Sequence, residues 1–187
     1  MMEKELGVYI SGSNEVDAEC ELVGRLLAEM TPSVRWVIKR TPRSFEHVNP
    51  DLAQLRRSQF YLILLAVDIT APMGVEWQAA KQGGLAIMAY RHSGVIPSPA
   101  ATVFARESGL RWQTYQSPQE FIRLFERDLI TRLIEGTPGY GLDLADIEEL
   151  SRRLKALDEA DEKAQGEGGE ERRGAGRGGV ILPAEQR

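Results

Sequence analysis

Cysteine is almost absent from this sequence: Cys20 is the only one in 187 residues. That excludes an internal disulfide and a cysteine-built metal site, and it suits a reducing compartment. Histidine is nearly as scarce. His47 and His92 stand in separate loop stretches without a second ligand at a metal-like spacing, so no zinc site is expected. Positive charge is in the minority, with 23 Lys and Arg against 28 Asp and Glu and a net charge of −5. A dedicated nucleic-acid binder needs a basic face to neutralise phosphates, and this chain lacks that balance. Long apolar runs are missing too. No stretch approaches the roughly 18 residues of a membrane span, and MMEKELGVYISGS has no apolar h-region of a secretory signal. The expectation is a cytoplasmic protein whose partners include neither a membrane nor nucleic acid.

What the sequence does have is an alternation of strand-like and helix-like segments. LGVYI (6–10) is a short apolar run ending in the turn Ser11-Gly12-Ser13-Asn14. Val16, Cys20, Val23, Leu27 and Met30 then recur at spacings of four and three, which predicts a helix that Thr31-Pro32-Ser33 ends. VRWVI (34–38) predicts a second strand and DLAQLRRS (51–58) a short helix. FYLILLAV (60–67) is apolar throughout, as in a central parallel strand covered on both faces. A helix over 73–82 closed by Gly83-Gly84, a strand LAIMAY (85–90) and a loop rich in Pro, Ser and Ala follow. A fifth strand, LRWQTY (110–115), and a helix from Ser117-Pro118-Gln119-Glu120 to about Ile134 complete the series. Five strands alternating with helices predict an α/β fold: an open, parallel, doubly wound (flavodoxin-like) sheet within residues 1–136.

Composition changes after Gly136. Residues 137–164 predict a helical extension entered through the hinge-like Thr137-Pro138-Gly139-Tyr140-Gly141. Ile147, Leu150, Leu154 and Leu157 are spaced as a short a/d seam. Two heptads are too few for a free-standing coiled coil, so the seam either packs back on the domain or makes a homodimer or other protein contact. Residues 165–187 are rich in Gly, Glu and Arg, a composition that cannot bury enough surface to fold. Their VILP group reads as a frayed end or as a docking peptide for a partner.

In an open α/β sheet, ligands bind beyond the carboxyl ends of the strands, where the strand order reverses. That edge gathers Ser11, Gly12, Ser13 and Asn14 after strand one, and Lys39, Arg40 and Arg43 after strand two. It also receives Asp68, Thr70 and Glu76 after strand three, and Arg91, His92 and Ser93 after strand four. The first loop opens a helix, whose free N–H groups and small hydroxyls suit a phosphate or a ribose. It lacks the spacing of a P-loop or a dinucleotide fingerprint, and Ser13 or Asn14 is equally explained as a helix N-cap. Lys39, Arg40 and Arg43 form the densest positive patch, either a solvated loop or a forked clamp for phosphate.

Glu76 falls in the first turn of the 73–82 helix, where the macrodipole favours an acid. It is also a carboxylate at the mouth of a central strand beside the Trp77 indole, with Gly74 permitting close approach. Breaking a base–ribose bond at C1′ calls for such an anion to trap or stabilise an oxocarbenium-like centre. Asp68, eight residues earlier, is either the second, protonating group or an Asx-turn residue. Tyr9 and Trp36 read first as core. No Ser-His-Asp set is assembled, and no G-x-S-x-G occurs.

VYISGS, the helix bearing Asp17 and Glu21, SQFYLILLAVD, GVEWQAA and LAIMAY together resemble the nucleoside deoxyribosyltransferase-like and Toll/interleukin-receptor (TIR)-like superfamily over about residues 6–115. The likeness is nearest to bacterial domains of that group. It implies a flavodoxin-like sheet with a pocket for a nucleotide, nucleoside or NAD-like ligand. It aligns Glu76 with the glutamate that is nucleophile or stabiliser in catalytic members, and Tyr9 and Gly12 with positions in their first-strand turn. The deoxyribosyltransferases carry D-x-G-T shortly before that glutamate, whereas Pro72-Met73-Gly74 stands here, and Gln59 replaces the usual acid before strand three. Two functions are therefore expected. The first is a non-catalytic signalling or interaction module that binds a nucleotide- or nucleoside-like ligand, with Tyr9, Ser11, Gly12, Ser13, Asn14, Arg40, Arg43 and Trp77 as contacts. The second is an N-glycosidic-bond enzyme, of the NAD glycohydrolase or deoxyribosyltransferase kind, working with Glu76 and Asp68. NAD or a nucleotide is the ligand expected in either case, and no metal is required.

Overall fold

The computed structural model describes residues 4–30, 34–43, 46, 48–136 and 139–170. Its elements, in chain order, are β1 (Lys4–Ser11), a 3₁₀ turn (Asn14–Val16), α1 (Asp17–Glu29), β2 (Val34–Arg40), α2 (Leu52–Arg57) and β3 (Phe60–Leu65). After these come α3 (Ala71–Gly83), β4 (Ala86–His92), α4 (Pro99–Glu107), β5 (Gln113–Tyr115), α5 (Pro118–Glu135) and α6 (Leu144–Glu170). All strands pair in parallel, in the order β2-β1-β3-β4-β5. The expected five-stranded, doubly wound, flavodoxin-like sheet is what forms.

Strand periodicity divides the core in two. Leu6, Val8 and Ile10 of β1, with Phe60, Leu62 and Leu64 of β3, meet α1 and α5 on one face. Tyr9, Tyr61 and Ile63 point the other way and meet Leu55 of α2 and Met73, Trp77, Ala79 and Ala80 of α3. Every residue of β3 is buried, which is why that segment can be apolar without alternation. Gly7 marks a close approach: a Cβ there would lie 2.9 Å from Ser58 Cα. Gln59 brackets the same residue, its Oε1 accepting from Gly7 N–H at 2.7 Å and its own N–H donating to Gly7 O at 3.0 Å.

Several boundaries differ from expectation; α3 begins at Ala71, and β4 runs on to His92, so Arg91 and His92 belong to the strand. The Pro-, Ser- and Ala-rich stretch holds α4, whose Ser98 Oγ accepts from Ala101 N–H at 3.1 Å with Pro99 in the first turn. Gly109, at φ 72°, lies just beyond its end. The fifth strand is only Gln113–Tyr115, because Trp112 turns toward α4 and donates from Nε1 to Ala105 O at 3.0 Å. β2 runs on to Arg40, so Lys39 and Arg40 belong to the strand and not to a loop.

α6 lies against the domain. Leu150 is wholly buried, and Ile147, Leu154 and Leu157 pack against the same core cluster as α1 and α5. Arg127 of α5 bridges to Asp158 and Asp161 of α6, and Arg153 of α6 to Glu126 of α5. Of the two readings of the a/d seam, packing back is the one that these residues adopt. Tyr140, in the expected hinge, sets its ring 5.1 Å from that of Phe60. The helical backbone continues to Glu170, beyond the expected end at 164, as propagation of an existing helix needs no new nucleus. His47, Thr137, Pro138 and residues 171–187, VILP included, lie outside the described residues. No described helix is long and apolar enough to cross a membrane.

Candidate functional site

α1, which follows β1, covers one face of the sheet, and α3, which follows β3, covers the other. The chain thus leaves two adjacent strands in opposite directions, and a crevice opens between the departing loops. A cavity of about 270 Å³ lies there, walled by Gly12, Ser13, Asn14 and Glu15 after β1, by Thr41 and Pro42 after β2, and by Asp68, Thr70 and Pro72 after β3. Glu15 ties two of these loops, its Oε2 accepting from Ser13 Oγ at 3.0 Å and from Val67 N–H at 3.1 Å. Ser13 and Thr70 precede helical turns but make no capping hydrogen bond with their side chains. Among the described residues neither side chain reaches the first-turn N–H groups, and Ser13 is not the conventional N-cap that the sequence allows.

Glu76 lies behind this cavity, with no exposed surface. Its Oε1 accepts from Tyr9 Oη at 2.8 Å, and its Oε2 accepts from Ser11 Oγ and Thr41 Oγ1, each at 2.6 Å. Tyr9 and Ser11 are successive residues on the α3-facing side of β1, one strand period apart, and Thr41 follows the end of β2. Thr41 Oγ1 in turn accepts from Gly12 N–H at 3.1 Å. Burial drives the Glu76 carboxyl above the usual carboxylate range, and the three donated hydrogen bonds pull it back only in part. The Tyr9 phenol is raised by burial and by the Glu76 charge beside it. Tyr61 stacks on Tyr9 with ring centroids 6.4 Å apart, and its buried hydroxyl interacts with Ser11.

The remaining candidates separate. Asp68 is exposed, with Oδ1 accepting from Ser98 Oγ at 2.5 Å and from Ile69 N–H at 2.8 Å. The Ser98 hydroxyl and that N–H hold its carboxyl below the usual range, so it is ionised at neutral pH. Arg40 and Arg43 both pair with Asp17 of α1, at 2.5 and 2.8 Å, and neither walls the cavity. Trp77 is buried between Tyr61 and Phe104, and its edge borders a separate, mostly apolar cavity of about 600 Å³ between α3 and α4. Ser11, Gly12, Ser13, Asn14 and Tyr9 are therefore gathered around the crevice or Glu76; Arg40, Arg43 and Trp77 are not. Thr41 and Glu15 were not among the sequence candidates. For Thr41 the available signal was its place just past the carboxyl end of β2, next to β1 in the sheet. Glu15, a lone acid on a helix start, gave none.

Among the described residues, no group of three or more His, Cys, Asp or Glu side chains is placed to hold a metal ion. The fold and the crevice define a doubly wound α/β protein with a small cavity at its switch point. No family model matches the chain, and no curated protein matches it.

Proposed function

We propose that the switch-point cavity takes the sugar of a nucleoside- or nucleotide-like ligand, and that the protein is a ligand-binding signalling or interaction module. The observation that carries this reading is the cavity's lining. About 270 Å³ bounded by Ser13, Thr41 and Thr70 hydroxyls and by Glu15 and Asp68 carboxylates suits a compact group with several hydroxyls, of pentose size. Acceptor carboxylates favour hydroxyl donors over a bare anion, and the first-turn N–H groups beside them leave room for an attached phosphate at the rim.

The chemistry supports binding before catalysis. An attacking carboxylate has to sit within about 3–3.5 Å of the anomeric carbon, and Glu76 is sealed behind Thr41 with both oxygens engaged. Asp68, held ionised by its partners, is an acceptor and not a proton donor to a departing base. Titration calorimetry with adenosine, AMP and NAD tests the proposal. Saturable binding that Ser13→Tyr blocks is the expected result; no heat with any of the three overturns it.

The second reading is N-glycosidic cleavage, favoured by one feature: a carboxyl of raised pKa immediately behind a sugar-sized cavity. Its signature is base release from NAD or a nucleoside that Glu76→Gln abolishes. Release that is absent, or equal in the variant, removes it.

A further inference from the structure

We propose that the open edge of the sheet is a docking site: β2 takes an extended, acidic segment of a partner protein as an added antiparallel strand. This edge is independent of what the switch-point cavity binds.

β2 lies at the end of the strand order and pairs with β1 alone among the described strands. Its ladder shows which backbone groups are left over. Thr41 N–H donates to Ile10 O at 2.9 Å, so the groups of odd-numbered residues here face β1. A residue's N–H and C=O share one side of a strand, and the side alternates along the chain. Those of Val34, Trp36, Ile38 and Arg40 therefore face outward, where no described strand pairs with them. The seven residues contain neither Pro nor Gly, and their one-to-one register with β1 leaves no bulge. Such a long, regular edge is a template for another strand. The opposite edge, β5, has only three residues and offers no comparable template.

Charge selects the occupant. β2 carries Arg35, Lys39 and Arg40 and no acid. Arg40 is held by Asp17 at 2.5 Å, and Lys39 stands 3.6 Å from Asp51, whereas Arg35 makes no ion pair among the described residues. Arg35 and Lys39 are exposed and lie on one face of the strand, four residues apart. Ile38, 39% exposed, and the half-buried Trp36 lie on the other. The strand that fits has acids opposite Arg35 and Lys39 and apolar side chains opposite Trp36 and Ile38. A second copy does not fit. Antiparallel self-pairing over the whole strand centres on Val37 and sets Arg35 against Lys39 in both halves, and like charges directly opposite are destabilising. The chain's own residues 171–187 do not fit either, since their four Arg outnumber two Glu and match the sign of the edge.

The test is fluorescence anisotropy of two labelled peptides, Thr-Glu-Val-Thr-Val-Glu-Thr and its counterpart with Lys for Glu, titrated with the full chain. The wild type should bind the acidic peptide saturably and the basic one not at all. Arg35→Glu should weaken the acidic peptide roughly tenfold and admit the basic one, because one attractive cross-strand pair becomes repulsive. Ile38→Pro removes an outward N–H while leaving the bonds to β1 in place, and it should abolish binding. Should Ile38→Pro fail to unfold cooperatively, the acidic peptide with both valines N-methylated takes its place, since those N–H groups are the ones that meet β2. Absence of binding by the wild type overturns the proposal, as does equal binding of the two peptides. Binding that survives Ile38→Pro or N-methylation also overturns it, by showing charge attraction without strand pairing. A wild-type dimer in light scattering that Ile38→Pro turns into a monomer gives the edge to a second copy, and overturns it too.

Discussion

Replacing Glu76 by Gln isolates what a sealed carboxylate does to stability. Gln keeps the shape but cannot ionise. The Glu76 carboxyl has its pKa raised in the folded protein, chiefly by burial, from an ordinary value of 4.5. The native state therefore retains this proton to higher pH than the unfolded chain does. Its contribution is fully present below pH 4.5 and is lost as pH rises through the folded pKa. Wild-type stability minus Glu76→Gln stability should thus fall with increasing pH, by at most about 1.4 kcal/mol per pH unit for one proton, and then level off. A constant offset lies beneath that slope. The Gln amide presents a donor where Ser11 and Thr41 hydroxyls donate, and each hydroxyl left unmet costs about 1–3 kcal/mol. Taking the difference cancels all other titrating groups. Urea midpoints at pH 5, 6, 7 and 8 for both proteins, with unchanged m, measure it. A difference that is flat, or that grows with pH, refutes the assignment of a carboxyl whose ionised form is disfavoured by burial.

Leu150→Ala, at a fully buried position of α6, should lower stability by about 2–5 kcal/mol in urea unfolding; a loss below about 1 kcal/mol would mean that α6 is not part of the cooperative core. Gly7→Ala should cost about 1–3 kcal/mol by the same assay, since its Cβ meets the Ser58 backbone, which cannot yield as a flexible side chain would. Ser98→Ala removes the α4 cap, at about 1 kcal/mol, and also the hydrogen bond that most lowers the Asp68 pKa. Carboxyl-carbon NMR titration should then show Asp68 moving upward toward its ordinary value, and an unmoved resonance would dissociate the two residues.

The sheet was legible because periodicity and burial carry it. An all-apolar run at 60–65 has few homes other than a central parallel strand, and the helices on either side follow from spacing. α4 was missed although its signals were present: Ser98-Pro99 is a helix start and Gly109 a stop, but the preceding Ile96-Pro97 and the Ala-rich interior looked like loop. Glu76 was singled out from its place after β3, and that place is where the sequence argument ends. Its burial depends on Tyr9, Ser11 and Thr41, which lie 67, 65 and 35 residues away, and pairings across such distances are not written in local pattern. The same limit explains Arg40 and Arg43. A run of basic residues reads as a phosphate clamp until the fold shows Asp17 of α1 facing both.

The Glu76 cluster is not something that the fold needs. Elsewhere the α3–sheet interface is built from Met73, Trp77, Ala79, Ala80, Tyr61 and Ile63. An apolar side chain at position 76, with Phe, Ala and Val at 9, 11 and 41, would occupy comparable space without burying a charge. Exchanges of this kind are often neutral or stabilising, because a buried ionic group recovers its desolvation only when every partner is well placed. The α3 macrodipole does not change this balance, since it favours an acid equally well at an exposed first-turn position. Four polar side chains from one strand, a loop and a helix instead converge at the point where the sheet topology opens a crevice. Departures from the most stable local choice concentrate where a protein meets its ligand. On these grounds the cluster belongs with the cavity proposed as the ligand site and not with the core beneath.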